Sequence, residues 1–147
     1  MSVARDAVEL RPSDIARASG LGERLATARA FLCLVAVDVV LRATSFERFY
    51  SLIRRVRARS RGTVDRETIA ALCSSVDRAA VLYFKKAWCL QRSATAVCLL
   101  RRRGVPAELV IGIQRLPFYA HAWAELDGEV LNDRPDVQDR YIVIDRC

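Results

Sequence analysis

The stretch Trp88-Cys89-Leu90-Gln91-Arg92-Ser93-Ala94 sets the expected fold, because it places a cysteine at the head of an amphipathic helix. A thiol at a helix N-terminus lies near unpaired backbone N–H groups and the positive end of the helix dipole. Both favour the thiolate and lower the pKa of the thiol. Cys89 is therefore a candidate nucleophile.

The helix that begins at Cys89 is expected to end at residues 101–104, three arginines and a glycine that suit the C-terminal end of a helix. At about 100° per residue, Ser93, Ala96 and Leu100 share the face of Cys89. Cys98 points to the opposite side. We therefore expect Cys98 in the core and not beside Cys89.

Beyond the helix the sequence changes to short apolar and β-branched runs, which predict strands at 107–113, 119–126, 130–132 and 140–144. The Asp127-Gly128 dipeptide between two of these runs is typical of a hairpin turn. Such a hairpin would bring the strand carrying His121 beside the strand carrying Asp133. Helices followed by strands predict an α+β domain with a mostly antiparallel sheet.

A thiol, an imidazole and a carboxylate follow one another in the chain as Cys89, His121 and Asp133. Attack on a carbonyl needs an ionised sulfur, and His121, the only histidine, could take the proton and later return it to a leaving amine. Asp133 could orient the ring, with Asn132 as a rival. This order is typical of thiol enzymes, although a lone histidine or cysteine can also be a packed core residue.

Charge that develops on the attacked carbonyl oxygen needs hydrogen-bond donors. The backbone N–H of Cys89 is the natural first donor. Trp88 and Gln91 are candidates for the second.

The first third of the chain reads as irregular and then helical. Met1–Arg11 shows no period. A short helix is expected over Pro12–Ala18 with a stop at Gly20. The following segment, Leu21–Leu41, is apolar nearly all round and needs cover on several sides.

Two more helices are expected before the cysteine. Thr44-Ser45 is expected to cap the first helix. Ser60–Thr63 interrupts the helical spacing of apolar residues, and the second helix begins near Asp65. Apolar residues recur at helical spacing in both. They are Phe46, Phe49, Tyr50, Ile53 and Val56 in the first and Ile69, Leu72, Cys73, Val76, Ala80 and Tyr83 in the second, with Cys73 expected to be buried.

The composition is that of a globular protein of one domain, with 147 residues of which 52% are apolar and 28% charged. Lys and Arg number 24 against 17 Asp and Glu, and much of the excess is a run of arginines over 48–61. This run indicates a solvated helix end or a surface for an acidic partner. No RNA-binding signature or zinc-finger spacing accompanies it, so nucleic acid is not an expected partner.

Five cysteines form an odd set, and the N-terminus lacks the order of a signal peptide, so free thiols in the cytoplasm are expected. The apolar region Leu25–Leu41 contains Arg29 and Asp38 and is short for a bilayer, which favours a buried helix over membrane insertion. The C-x-x-C, phosphate-loop and dinucleotide patterns are missing, so no metal or cofactor is expected.

Several stretches together resemble the transglutaminase-like leader peptidases of bacterial lasso-peptide biosynthesis. The resemblance covers about residues 85 to 145, and Ala124 stands where a valine is expected. The stretches are Cys89-Leu90-Gln91-Arg92-Ser93, Leu100-Arg101-Arg102-Arg103-Gly104-Val105-Pro106-Ala107, Ile111-Gly112-Ile113, Pro117-Phe118-Tyr119-Ala120-His121-Ala122-Trp123-Ala124-Glu125 and Leu131-Asn132-Asp133.

The resemblance implies a papain-like cysteine protease core of transglutaminase-like fold, in which the helix bearing Cys89 packs on a small antiparallel sheet. Such an enzyme cuts the leader from a ribosomally made precursor for an ATP-dependent cyclase. If the roles of the family's residues are carried over to the matching positions, Cys89 is the nucleophile, His121 is the general base and acid, and Asp133 is the orienting carboxylate. The short chain suggests the split form of the family, which works with a separate leader-recognition protein.

We therefore expect an N-terminal helical region over residues 1–62, suited to partner docking, and a protease core over residues 63–147. Apolar helices on both sides of the division favour one packed body. Two other functions stay open. One is acyl transfer to an amine by the same thiol, and the other is a non-catalytic adaptor of a peptide-modification complex.

Overall fold

The structure is a computed structural model that describes residues 12–58, 64–84 and 86–147, with only the backbone for 12–19. The segments expected at Met1–Arg11 and Ser60–Thr63 lie outside the described residues. Helices come first and a sheet follows, which confirms the predicted α+β class with its N-terminal helical region. The elements are α1 (Pro12–Ala43), α2 (Phe46–Arg55), α3 (Arg66–Leu82), α4 (Cys89–Arg102), β1 (Glu108–Gln114), β2 (Tyr119–Leu126), β3 (Glu129–Val130), α5 (Val137–Arg140) and β4 (Ile142–Arg146).

The prediction of two helices before residue 42 is wrong, because α1 continues without a break through Gly20 and Gly22. A glycine inside a helix costs only about 1 kcal/mol relative to alanine, which packing of a long helix readily offsets. No proline follows Gly20 to force an end there. None of the helices in the described ranges has both the length and the hydropathy to cross a bilayer.

The predicted starts of α2 and α3 are confirmed by their caps. Ser45 accepts a hydrogen bond from the backbone N–H of Arg48 at 3.4 Å, and Asp65 accepts one from Thr68 at 3.1 Å. Each side chain satisfies a donor that the first helical turn leaves unpaired.

One hydrophobic core contains residues from all four long helices and from the sheet. Cys73 and Cys98 are buried in it, as predicted. The core therefore crosses residue 62. It includes Ala30 and Val37 of α1, Phe49 and Ile53 of α2, Val76 of α3, Val97 and Leu100 of α4, and Leu109 and Ala124 of the sheet.

Arg101 of α4 is buried, and its guanidinium group donates hydrogen bonds to three backbone carbonyl groups. It donates to the carbonyls of Ile53 at 2.8 Å, Val56 at 3.0 Å and Ala107 at 2.8 Å. The ends of α2 and α4 and the start of the sheet are joined in this way. Of the three arginines expected to serve only the helix end, this one also fixes α4 in the fold.

The sheet has the strand order β3-β2-β1-β4, and every neighbouring pair is antiparallel. Asp127 and Gly128 both have positive φ, 50° and 82°, as the predicted tight hairpin requires. Gly112 of β1 lies opposite His121 of β2. An alanine Cβ at Gly112 would lie 2.7 Å from the Trp123 ring, so the close approach of the ring depends on this glycine.

The expected strand over 130–132 is wrong in extent, since β3 ends at Val130. The reason is a side chain: Oδ1 of Asn132 accepts the backbone N–H of Ala124 at 2.7 Å, while the N–H of Leu131 still reaches the carbonyl of Ala124. The side-chain amide of Asn132 thus replaces one backbone hydrogen bond between β2 and β3. Asp133 therefore lies beyond the end of the strand. The last strand, expected over 140–144, begins later because residues 137–140 form a helical turn.

Candidate active site

Cys89 is the first residue of α4 and is half-buried. The backbone N–H of Trp88, which precedes the helix, donates to Oε1 of Gln91 at 3.1 Å. The Gln91 side chain thereby fixes the chain just before the thiol. The predicted helix start at Cys89 is confirmed.

His121 and Asp133 are in direct contact. Nε2 of the ring lies 2.6 Å from Oδ2 of the carboxylate, and the two side chains are 23% and 28% exposed. The other carboxylate oxygen, Oδ1, accepts the backbone N–H of Arg134 at 2.7 Å. Both oxygens of Asp133 are engaged, so the carboxylate has a fixed orientation toward the ring.

The imidazole of His121 and the backbone groups of Ala122 and Leu90 lie near enough to the thiol of Cys89 to lower its pKa. Because Nε2 is engaged by Asp133, the ring nitrogen left for the sulfur is Nδ1. The structure therefore places His121 in contact with Asp133 and near the thiol of Cys89.

Cys89 and His121 each shift the pKa of the other toward the charged form. Burial opposes ionisation of Cys89, but the hydrogen bonds from His121 and Ala122 outweigh it, and the pKa of the thiol is lowered. The hydrogen bond with Cys89 raises the pKa of His121; burial opposes this rise, and Asp133 adds to it. Each charged form stabilises the other.

The other four cysteines, all within the described residues, behave in the opposite way. Burial raises the pKa of Cys73 to about 11 and that of Cys98 to about 12. Burial also raises the pKa values of Cys33 and Cys147. All five thiols are free. Cys89 is thus singled out chemically by its surroundings.

Ser93 and Asn132 form a hydrogen-bonded link between the three elements of the site. Ser93, one helical turn after Cys89, is buried and donates to the carbonyl of Ala122 at 2.9 Å. Nδ2 of Asn132 donates to Oγ of Ser93 at 3.0 Å. Asn132, the rival for the orienting role, holds neighbours of the ring and of Asp133 in place and has no bond to the ring itself.

Aromatic rings surround the imidazole. The Tyr141 ring is stacked at 5.0 Å between centroids, and the fully buried Trp123 ring lies at 6.0 Å. Nε1 of Trp123 donates to Oε1 of Glu125 at 2.5 Å. These contacts restrict rotation of the His121 ring.

Glu125 is fully buried, which the sequence does not suggest. Burial opposes its ionisation, but hydrogen bonds from Trp123, Arg146 and Gln138 outweigh it and lower the pKa of the carboxyl. A buried carboxylate with three donors holds β2 to β4 and to α5. Acidic residues at a strand end usually face solvent, so no sequence signal distinguishes this one.

The side-chain amide of Gln91 has a structural partner on α1. Its Nε2 donates to Oδ1 of the buried Asp38 at 3.2 Å. Tyr83 donates to Oδ2 of Asp38 at 2.8 Å, and Arg42 pairs with the same oxygen at 2.8 Å. Burial opposes ionisation of Asp38, but these bonds lower its pKa. A lone aspartate within an apolar helix is the signal that could have indicated this buried network.

A family model described as the transglutaminase-like superfamily matches residues 33–146, from within α1 to the end of β4. The match covers most of the chain and includes the site. The chain therefore belongs to the transglutaminase-like superfamily, as the sequence resemblance predicts.

Among individual proteins, the Microcin J25-processing protein McjB of Escherichia coli is 42% identical to this chain over 59 residues. The match covers 40% of this chain and 28% of that protein, so the match spans less than a third of the relative's length. No solved structure matches significantly.

Proposed function

We propose that the chain is a cysteine endopeptidase that removes the leader from a ribosomally made lasso-peptide precursor. The observation that carries this proposal is the contact between His121 and Asp133 beside Cys89, whose pKa the imidazole lowers. A thiol used only for packing needs no imidazole beside it, and the other four thiols have raised pKa values.

In the proposed mechanism the Cys89 thiolate attacks the carbonyl carbon of the scissile bond. The C–N bond breaks as Nδ1 of the protonated His121 gives its proton to the leaving amine, and an acyl thioester remains. His121 then takes a proton from water, whose oxygen attacks the thioester. The C–S bond breaks, the product acid leaves, and the Cys89 thiolate again lies beside the protonated His121. Asp133 holds the ring throughout, and the backbone N–H of Cys89 is the first oxyanion donor.

The substrate is proposed from two sources. One is the family resemblance over residues 85–145, and the other is the similarity to the Microcin J25-processing protein of Escherichia coli. The surface near the site suits an extended peptide, because exposed apolar side chains precede both Cys89 and His121. They are Trp88 on one side and Leu116, Phe118 and Tyr119 on the other.

The proposal includes the partners and the compartment that the resemblance implies. The precursor leader is the ligand, a separate leader-recognition protein presents it, and an ATP-dependent cyclase uses the product. We place these steps in the cytoplasm, where the five free thiols would stay reduced.

The test combines the purified chain, the precursor and its recognition protein, with products measured by mass spectrometry. One cut is expected, and Cys89→Ala and His121→Ala should each abolish it. Cys147→Ser, which alters a half-buried thiol away from His121, is the matched control and should retain cleavage. Cleavage that survives Cys89→Ala would refute the peptidase.

Two outcomes would assign the site differently. If products gain the mass of an added amine in place of water, the same thiol is an acyltransferase. If Cys89 reacts with iodoacetamide near neutral pH no faster than an unperturbed thiol and no product forms, the chain is an adaptor.

A further inference from the structure

Helix α1 has two apolar faces, and the core covers one of them. Ala30, Leu34 and Val37 are buried. On the other side, Leu21, Leu25, Leu32 and Val39 are 60%, 52%, 68% and 56% exposed, and the exposed Ala28 and Ala36 lie between them. We call these six residues the outer stripe.

The outer stripe has the spacing of a helix-packing surface. Its residues follow one another at steps of three and four, which places them on one line along the helix. From Leu21 to Val39 this line is about 27 Å long at 1.5 Å per residue. A surface helix that packs only on its own core would carry polar residues there.

Two cavities beside the stripe extend the apolar surface. The first, of about 660 Å³, lies between α1, α3 and the last turn of α4, with Cys33, Leu72 and Leu99 in its lining. The second, of about 1100 Å³, lies between α1 and the end of α3, with Val81 and Leu82 in its lining. Leu32 belongs to both. The surface is therefore grooved and continuous.

Arginines dominate the charge around this surface. Arg24, Arg29, Arg78, Arg102 and Arg103 line the cavities, against Glu23 and Asp77. Asp77 is already paired with Arg92. Within the described residues no carboxylate pairs with Arg24, Arg29, Arg102 or Arg103. These four guanidinium groups are therefore available to an acidic partner.

We propose that the outer stripe is the docking surface for an amphipathic helix of a partner protein, with acidic residues flanking its apolar side. An apolar line at helical spacing beside grooves fits a helix, and the unpaired arginines select acidic flanks. A second copy of this chain would set arginine against arginine. A planar lipid surface would leave the two grooves unfilled.

The first test measures binding of the full chain to a labelled helical peptide built of leucine and glutamate at steps of three and four. Leu25→Glu with Leu32→Glu should weaken binding about tenfold or more, because two large apolar contacts are lost. Leu52→Glu on α2 changes another exposed leucine, away from the stripe, and should leave binding unchanged. Circular dichroism checks that all variants fold alike.

The second test reverses the charge. Arg29→Glu with Arg102→Glu should lower affinity for the leucine–glutamate peptide and raise it for a leucine–lysine peptide. Equal binding of both peptides by the unaltered chain would overturn the proposal. So would binding only to phosphatidylglycerol vesicles, or self-association that the two leucine substitutions abolish without any peptide binding. All these readouts are independent of peptidase activity.

Discussion

Nδ2 of Asn132 lies 3.0 Å from Oγ of Ser93, and this hydrogen bond connects the helix of Cys89 to the segment that carries Asp133. Oγ of Ser93 in turn donates a hydrogen bond to the carbonyl of Ala122, the residue after His121. One pair of small polar side chains thus relates all three elements of the candidate site. We therefore expect the alignment of the proposed triad to depend on a bond between residues that do not themselves react.

Ser93→Ala should lower both stability and the rate of cleavage. The change leaves the Nδ2 donor of Asn132 and the carbonyl of Ala122 without their partner, which costs about 1–3 kcal/mol. We expect kcat to fall more than KM rises, because the reacting groups are displaced while the peptide surface stays intact. Ser74→Ala, at an exposed position of α3, is the control for both measurements and should change neither. A Ser93→Ala enzyme with normal kcat would show that the link is not needed for alignment.

Asp133→Ala should impair cleavage more than Asp136→Ala or Asp139→Ala. Only the carboxylate of Asp133 contacts Nε2 of His121, whereas Asp136 pairs with Arg134 at the surface. Loss of the orienting group leaves the ring free to adopt the wrong tautomer. Initial rates on the precursor measure the order of the three variants. If Asp136→Ala or Asp139→Ala were the more damaging, the third member of the triad would have to be reassigned.

Local signals account for the parts of the fold that the sequence predicts well. Asp127-Gly128 forms the hairpin because both residues tolerate positive φ, and Cys89 begins α4 where apolar periodicity resumes. A pattern within one element was sufficient in both of these cases. The order of Cys89, His121 and Asp133, read with the family resemblance, predicts a catalytic triad, and of these side chains His121 and Asp133 are in direct contact.

The parts that could not be predicted depend on contacts between distant segments. Glu125 is buried because Arg146 and Gln138, far along the chain, reach it. Asn132 ends β3 early because its amide finds the N–H of Ala124. Gly20 does not stop α1, since the packing of the whole helix outweighs the local preference of one residue. No local pattern encodes such partners.

Reactivity of Cys89 toward iodoacetamide should persist below the pH at which an ordinary thiol becomes inert. Burial opposes the thiolate, but His121 and Ala122 lower the pKa of Cys89 below its ordinary 9.0. In His121→Ala the thiol loses the ring's hydrogen bond and charge, so the pH midpoint of labelling should rise toward 9.0 or above. A midpoint that does not move would show that the imidazole has no effect on the thiol. Mass spectrometry separates Cys89 from the other four thiols.

Protonation of His121 should also stabilise the fold. The hydrogen bond with Cys89, with Asp133 adding to it, raises the folded-state pKa of His121 above its ordinary value of 6.5. The stabilisation is therefore fully present below pH 6.5 and is lost as the pH rises through the raised pKa. The melting temperature of the wild type, measured as a function of pH, should show this loss. The loss should be smaller in Cys89→Ala, because that variant lacks the thiol that raises the pKa of His121. Identical curves would contradict the coupling.

Gly112→Ala and Gly22→Ala should have opposite effects on stability, although the chemical change is the same. At Gly112 the new Cβ would lie 2.7 Å from the Trp123 ring and 2.9 Å from Cβ of Tyr141. Both rings lie against His121, so the strain should cost about 1–3 kcal/mol and move the imidazole. At Gly22, in α1, nothing lies within 4 Å of the new Cβ, and alanine should stabilise the helix by about 1 kcal/mol. Urea unfolding measures both changes. Cleavage rates should fall for Gly112→Ala and stay constant for Gly22→Ala, because only the strand substitution reaches the ring that is proposed to move the proton.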